Sequence, residues 1–283
     1  MSELWKGKPV ADALDVETSA RVEALKAKGV TPCLAILRVG EREDDLAYER
    51  GALKRTEKNG VAVKQVLLPA DVSQEDLMAA IEDLNKDDTV HGVLMFRPLP
   101  KHLDESAACE ALLPEKDIDG LTRGSMATIY SGSGAGFAPC TAEACIAMLD
   151  HYGYDLKGKR AVVIGRSLVI GKPVAMLLMA RHATVTVCHS RTVDMPSVTK
   201  DADVVICALG RAEMITGDYF APGQTVLDVG INWSEEKNKL VGDVAFDEAA
   251  EIVSNITPVP AGVGSVTTAL LVRHVVEAAE KTV

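Results

Sequence analysis

Residues 162–173 read VVIGRSLVIGKP, an apolar run followed by Gly165 and Gly171 bracketing Arg166 and Ser167. An apolar strand that turns through glycines into a helix presents backbone amides and the positive end of the helix dipole, and both attract a phosphate. The spacing, Gly-x-Ser-x-x-x-Gly, differs from the usual dinucleotide fingerprint, and a tight turn that merely needs glycine would read the same way. The residues after the next apolar segment favour the phosphate. His189-Ser190-Arg191 stands where a dinucleotide fold faces the adenosine ribose. An acid there suits a free 2′-hydroxyl, and an arginine suits a 2′-phosphate. Ser190 and Arg191, with Arg166 in the first turn, favour NADP over NAD, with NAD possible. Gly210 and the segment Asp228-Val229-Gly230-Ile231-Asn232 each close a further apolar run, which places Gly210 and Ile231 at the nicotinamide edge of the same pocket.

Other chemistries find little support. Cys33, Cys109, Cys140, Cys145, Cys188 and Cys207 are scattered, with no CxxC pair and no HExxH, so no metal site is expected. The balance of 30 Lys+Arg against 41 Asp+Glu, a net charge of −11, argues against binding nucleic acid or an anionic membrane. The N-terminus lacks an apolar core of signal-peptide length, and the longest apolar candidate, residues 173–180, is too short to span a bilayer. A soluble cytoplasmic protein is expected. With 283 residues, 47% hydrophobic and 25% charged, the chain has material for about two domains.

Strands and helices must position these residues, and the patterns alternate between the two. Helical spacing over residues 10–28 stops at Gly29, and a short apolar run at 32–39 reads as a buried strand. A charged amphipathic helix over 44–59 is closed by Gly60, a strand comes next at 61–68, and Ser73-x-x-Asp76 opens a helix over 73–85. A strand at 90–96 ends in Arg97-Pro98-Leu99-Pro100, and Ser131–Gly136 (SGSGAG) is the most linker-like stretch. Beyond a helix at 142–152, strands are predicted at 160–164, 184–188, 204–208 and 226–229, and a long amphipathic helix at 267–281. Strands separated by helices imply parallel βαβ units, hence two α/β lobes with a cleft between them, the second a Rossmann-like parallel sheet.

Several segments together resemble one family, in order and over essentially the whole chain. They are the 165–173 turn, ATVTVCHS at 183–190, DVGIN at 228–232, TPVPAGVG at 257–264, KDIDG at 116–120 and Pro139-Cys140-Thr141. All are similar to motifs of the methylenetetrahydrofolate dehydrogenase/cyclohydrolase family. The resemblance implies NADP-dependent oxidation of 5,10-methylenetetrahydrofolate, often coupled to hydrolysis of the methenyl product to 10-formyltetrahydrofolate, by a homodimer. It implies a folate-binding catalytic domain over 1–138, a dinucleotide-binding domain over 139–265, and a C-terminal helix over 266–283 returning to the first domain. Asp119 would bind the pterin, whose N–H donors suit an acceptor-only carboxylate, although alone it could be an ordinary turn acid. Tyr48 would stack on the pterin or handle a proton. Pro258 and Gly262 would lie at the substrate mouth.

Two departures from the family fall on the hydrolytic side. The family's catalytic helix carries Tyr-x-x-x-Lys, and here Tyr48 is followed four residues on by Ala52. A side chain four residues on lies only about 40° around the helix, whereas Lys54 lies about 120° away and is a poor substitute. Where the family has Gln before Leu-Pro-Leu-Pro, this chain has Phe96 before Arg97-Pro98-Leu99-Pro100, and phenylalanine supplies no hydrogen bond. Hydrolysis must add water and move a proton, so it depends on such groups more than hydride transfer does. A dehydrogenase with weak or absent cyclohydrolase activity is expected. The alternatives are a fully bifunctional enzyme and a non-catalytic folate- or dinucleotide-binding regulator, the last disfavoured by the retained 165–171 turn.

Overall fold

The computed structural model describes residues 2–283. In chain order the first elements are β1 (Glu3–Leu4), α1 (Gly7–Ala27), β2 (Cys33–Val39), α2 (Glu43–Asn59), β3 (Ala62–Leu68), α3 (Gln74–Lys86) and β4 (Gly92–Met95). Three helices come next without an intervening strand: α4 (Glu105–Ala111), α5 (Arg123–Ser131) and α6 (Cys140–His151). Alternation resumes with β5 (Arg160–Ile164), α7 (Gly171–Ala180), β6 (Thr184–Cys188), α8 (Met195–Lys200), β7 (Val204–Cys207) and β8 (Thr225–Asp228). The chain ends with β9 (Asn232–Ser234), β10 (Lys239–Val241), α9 (Phe246–Ile252), β11 (Asn255–Ile256) and α10 (Thr267–Glu280).

Two compact units result. One comprises Ala13–Cys140 with Thr268–Val283, so the last helix belongs with the first half of the chain. Its sheet is parallel, in the order β3-β2-β4. The central strand β2 (CLAILRV) is buried at every position, as a strand covered on both faces must be. Gly60 closes α2 in the left-handed region (φ 71°), and Ser73 Oγ caps α3 by accepting the Asp76 amide at 3.0 Å, both as the sequence predicts. Helix α2 is tied down by the buried Asp15 carboxylate, which accepts from Arg55 (2.8 Å), Lys58 (2.7 Å) and Asn59 (3.1 Å). Segment 131–136 is not the open linker its composition suggests. Gly132 caps α5 at φ 74°, and the Gly136 amide donates to Thr128 Oγ1 at 3.3 Å, folding the stretch back onto that helix.

The other unit takes the residues up to Asp12 with Thr141–Thr267. Six of its strands form one all-parallel sheet, in the order β1-β11-β8-β7-β5-β6, and β9 and β10 form a separate antiparallel pair. Because β5 is flanked by β6 on one side and β7 on the other, the winding reverses there. In a doubly wound sheet, ligands bind outside the carboxyl ends of the strands at such a reversal. Strands β5, β7 and β8 fill the centre of this sheet and are buried except at Arg160; β5 beyond Arg160 and β7 are apolar, whereas β8 carries the buried Thr225 and Asp228. The two-residue strand β1 is too short to show any periodicity, and pairing with β11 brings Trp5 against Tyr152 with ring centroids 4.7 Å apart. No helix among the described residues is long and apolar enough to cross a membrane.

Candidate active site

In the six-stranded unit the chain leaves β5 through Gly165 at φ 129°, a conformation L side chains rarely adopt. A Cβ on Gly165 would strike the Ala208 carbonyl, and one on Gly171 would strike the Gly165 carbonyl. The two glycines are therefore needed for backbone to lie on backbone where α7 begins. Ser167 Oγ accepts the Ile170 amide at 3.1 Å and so caps this turn. Ser190 and Arg191 come after β6, whose register aligns Cys188 with Ile164, so they emerge beside the Gly165 turn. Arg166, Ser190 and Arg191 are exposed, and among the described residues neither arginine is held in an ion pair. Gly210 turns the chain after β7 at φ 69°. Ile231, 58% exposed, lines a cavity of about 210 Å³ together with the loop Pro258–Ser265, so Ile231, Pro258 and Gly262 share one wall. Backbone-close glycines, the start of α7 and two uncommitted guanidinium groups fit a phosphorylated dinucleotide.

The second set of residues gathers at the carboxyl end of the three-stranded sheet. Tyr48 lies near the start of α2, just after β2, and packs edge-on against Phe96 with centroids 6.0 Å apart and planes at 82°. Ala52 is 0% exposed, on the inward face of the same helix. Segment 116–119 runs parallel beside β4 from a Val93–Asp117 bridge, so Asp119 emerges at the same sheet end as Phe96.

The structure divides the labour within KDIDG. Lys116 donates to the carbonyls of Leu84, Asn85 and Asp87 at 2.8–2.9 Å and holds the end of α3. Asp117 is fully buried and accepts from Leu121 N (2.9 Å), Thr122 N (2.7 Å) and Ser125 Oγ (2.6 Å). Asp119 is only half-buried. Its Oδ1 accepts the Cys140 amide at 3.0 Å, and burial raises its carboxyl above the ordinary carboxylate range despite that bond. Behind it, His274 of α10 donates from Nδ1 to the Ile118 carbonyl at 2.8 Å and stacks on Phe137, which fixes the segment from the rear. Gly120 (φ 66°) has no room for a side chain, since a Cβ would meet the Pro139 nitrogen at 2.6 Å.

Two buried networks go beyond the sequence reading. Arg38, the one charge in β2, pairs through Nε with Glu49 Oε2 at 2.8 Å, while Gln65 donates to Glu49 Oε1 at 2.6 Å. A charge inside an otherwise apolar strand was the available signal. The second joins Asp228 and Asp243. Asp228 accepts the amides of Gly230 (3.1 Å), Asp243 (3.0 Å) and Val244 (2.9 Å), yet burial pushes its carboxyl up to about 7. No cluster of three or more His, Cys, Asp or Glu among the described residues could hold a metal ion.

A doubly wound sheet with a glycine turn at its winding reversal defines a dinucleotide-binding α/β protein. The NAD(P)-binding domain of tetrahydrofolate dehydrogenase/cyclohydrolase matches residues 139–283, and the catalytic domain of the same enzymes matches residues 5–119. The chain belongs to the tetrahydrofolate dehydrogenase/cyclohydrolase family. It is 50% identical over 281 residues to the bifunctional protein FolD of Carboxydothermus hydrogenoformans, covering 99% of this chain and 98% of that protein. The crystal structure of the bifunctional FolD from Campylobacter jejuni, a methylenetetrahydrofolate dehydrogenase/cyclohydrolase, matches with a TM-score of 0.96 at 37% identity and 100% coverage of both chains. The methylenetetrahydrofolate dehydrogenase-cyclohydrolase of Trypanosoma brucei, solved with NADP and an inhibitor, gives a TM-score of 0.92 at 34% identity, covering 99% of this chain and 98% of that one.

Proposed function

We propose that this protein is an NADP-dependent 5,10-methylenetetrahydrofolate dehydrogenase whose cyclohydrolase step is weak or lost. The observation that carries the second half is the Tyr48 face of α2, where a fully buried Ala52 and the ring of Phe96 stand at the family's lysine and glutamine positions. The methylene carbon lies between two nitrogens whose lone pairs stabilise the amidinium left when hydride departs, so the protein's task is orientation. Bound at the residues named below, NADP would supply the hydride acceptor. Asp119 accepts the pterin N–H groups, and Tyr48 offers its ring to the flat heterocycle. Pro258 and Gly262 form a rigid edge of the substrate site. The turn from Gly165 to Gly171, with Ser167, takes the pyrophosphate. Arg166 and Arg191, with Ser190, take the 2′-phosphate, and Gly210 and Ile231 border the nicotinamide. In this reading residues 13–138 bind folate, because the residues up to Asp12 pack with the six-stranded unit and not with the first half as the 1–138 boundary supposed, while 139–265 bind the dinucleotide and 266–283 brace the folate-binding part.

Full bifunctionality is the second reading, favoured by the 50% identity to a protein named bifunctional. Methylenetetrahydrofolate and NADP added to the purified protein decide between them. Methenyltetrahydrofolate should accumulate and persist at no more than the uncatalysed decay. Prompt catalysed disappearance establishes the bifunctional reading instead.

Replacing Arg191 or Arg166 by Gln should raise KM for NADP on the order of tenfold and leave KM for NAD within about twofold. A charge-assisted bond to the 2′-phosphate is lost, moderated by solvent screening at these exposed positions. Equal losses with both cofactors would remove the 2′-phosphate assignment.

We take the protein to be a cytoplasmic homodimer. Strand β6 ends the six-stranded sheet, and the outer backbone N–H and C=O groups of such an edge strand offer the unpaired row that a second copy can cover. Light scattering should give about twice the 30.1 kDa chain mass, and a mass of one chain refutes the dimer.

A further inference from the structure

Asp243, in the link between β10 and α9, is 0% exposed, and its carboxylate is saturated by N–H donors. Oδ2 accepts the amides of Leu209 (2.5 Å) and Gly210 (3.1 Å), and Oδ1 accepts the amide of Arg211 (2.8 Å) and Asn232 Nδ2 (3.0 Å). Three successive amides converging on one anion form the concave nest that elsewhere holds a phosphate. Here the chain fills it with its own carboxylate. The filling group is itself locked, because its amide and that of Val244 donate to Asp228. The Asp228 amide in turn donates to Thr257 Oγ1 at 2.8 Å. A Cβ on Gly230 would strike the Asp243 carboxyl, and one on Gly242 would strike that of Asp228. Among the described residues neither carboxylate has a cationic partner, so two buried acids are retained on amide donors alone. Such a burial is costly, and an amide side chain of the same shape would leave N–H facing N–H.

The segments tied together here are those assigned to the cofactor. The turn 208–211 carries Gly210, and its Ala208 carbonyl is the atom a Cβ on Gly165 would strike, so this turn abuts the phosphate turn. On the other side, Asn232 comes directly after Ile231 at the wall of the 210 Å³ cavity. We propose that Asp243 is a positioning residue for the dinucleotide, fixing the separation between the turn after β7 and the segment after β8. This rests on the dinucleotide-binding reading. By consuming the three amides after β7, Asp243 also withdraws them from any phosphate, leaving the pyrophosphate to the start of α7. The Asp228 carboxyl aims Asp243 by holding its backbone.

The test uses full-length Asp243→Asn and Asn232→Ala, measuring NADP dissociation constants, KM for methylenetetrahydrofolate, kcat and Tm. Asp243→Asn should raise the NADP constant tenfold or more and leave the folate KM within twofold. Asn232→Ala removes one of the four donors without emptying the nest. It should raise the NADP constant several-fold and lower kcat at nearly unchanged Tm. It decides the matter if Asp243→Asn fails to fold. A merely structural role predicts a fall in Tm with unaltered NADP constants, and that result, or Asn232→Ala indistinguishable from wild type in NADP constant and kcat, overturns the proposal. Wild-type protein that binds neither NADP nor NAD overturns the dinucleotide reading and this proposal together, whereas wild type that binds NADP beside unaffected variants overturns this proposal alone.

Discussion

Asp119→Ala should raise KM for methylenetetrahydrofolate roughly ten- to hundredfold and leave NADP binding nearly intact. The pterin edge presents N–H donors, and an ionised carboxylate accepts from them without offering a competing donor. A hydrogen bond to a charged group contributes about 1.5–3 kcal/mol, which sets the expected range. The same carboxylate also accepts the Cys140 amide at 3.0 Å, so Ala strips a partner from a buried donor as well. Asp119→Asn separates the two roles, since its carbonyl can keep the Cys140 amide while its NH2 meets the pterin donors. Asn should therefore lose folate affinity much as Ala does while keeping a Tm close to wild type. Because burial raises this carboxyl, it takes up its proton at a higher pH than an ordinary aspartate. Folate KM should accordingly begin to rise, as pH is lowered, before the ordinary carboxylate range is reached. In Asp119→Asn that rise should be absent. An Ala variant with a lower Tm and unchanged folate constants would make Asp119 a turn residue and nothing more.

The parts of this structure that were legible in the sequence are those where one local rule dominates. The segments RAVVI and TVTVC are strands with the bounds their apolar or β-branched runs indicate, and Gly60 and Ser73 cap their helices as their residue types require. The glycine pair at 165 and 171 was visible because a backbone–backbone approach admits no substitute. The hidden parts depend on partners far away in the chain. Strand β1 exists only because residues 255–256 offer an edge, and no periodicity fits in two residues. Asp243 sits in an unremarkable GDV triplet, and its importance lies in amides more than thirty positions earlier. Within KDIDG the spacing could not say which acid is internal, since Asp117 is consumed by donors at 121, 122 and 125. The open character of SGSGAG misled for a related reason, because glycines at a helix end serve the cap and the close approach as readily as they serve a hinge.

Restoring Ala52→Lys together with Phe96→Gln should increase methenyl hydrolysis by more than the sum of the two single changes, and more than it changes methylene oxidation. Hydrolysis needs a group that exchanges a proton with the attacking water, and position 52 lies one turn beyond Tyr48 on the same helix face. Ala52 is 0% exposed, so the new stem enters packed space, and overpacking there costs about 1–3 kcal/mol of stability. Glu49, three residues earlier, already has both oxygens committed to Arg38 and Gln65, so it is not free to neutralise the introduced ammonium. An unpaired, desolvated ammonium has its pKa lowered toward neutrality, which is what a proton shuttle requires. If the group stays charged instead, it repels the amidinium product. Phe96→Gln removes the ring that meets Tyr48 edge-on at 6.0 Å and supplies an amide able to orient the lysine. Ala52→Lys alone is thus expected to lose Tm and gain little hydrolysis, and Phe96→Gln alone to lose the ring contact and gain none. The pair shares one network, so its coupling should exceed the measurement error of a double-mutant cycle. Hydride transfer, methenyl decay and Tm recorded for all four proteins give the cycle. Strictly additive effects would mean that the two positions do not cooperate. Catalysed hydrolysis in the wild type, indifferent to either substitution, would mean that another side chain performs the step.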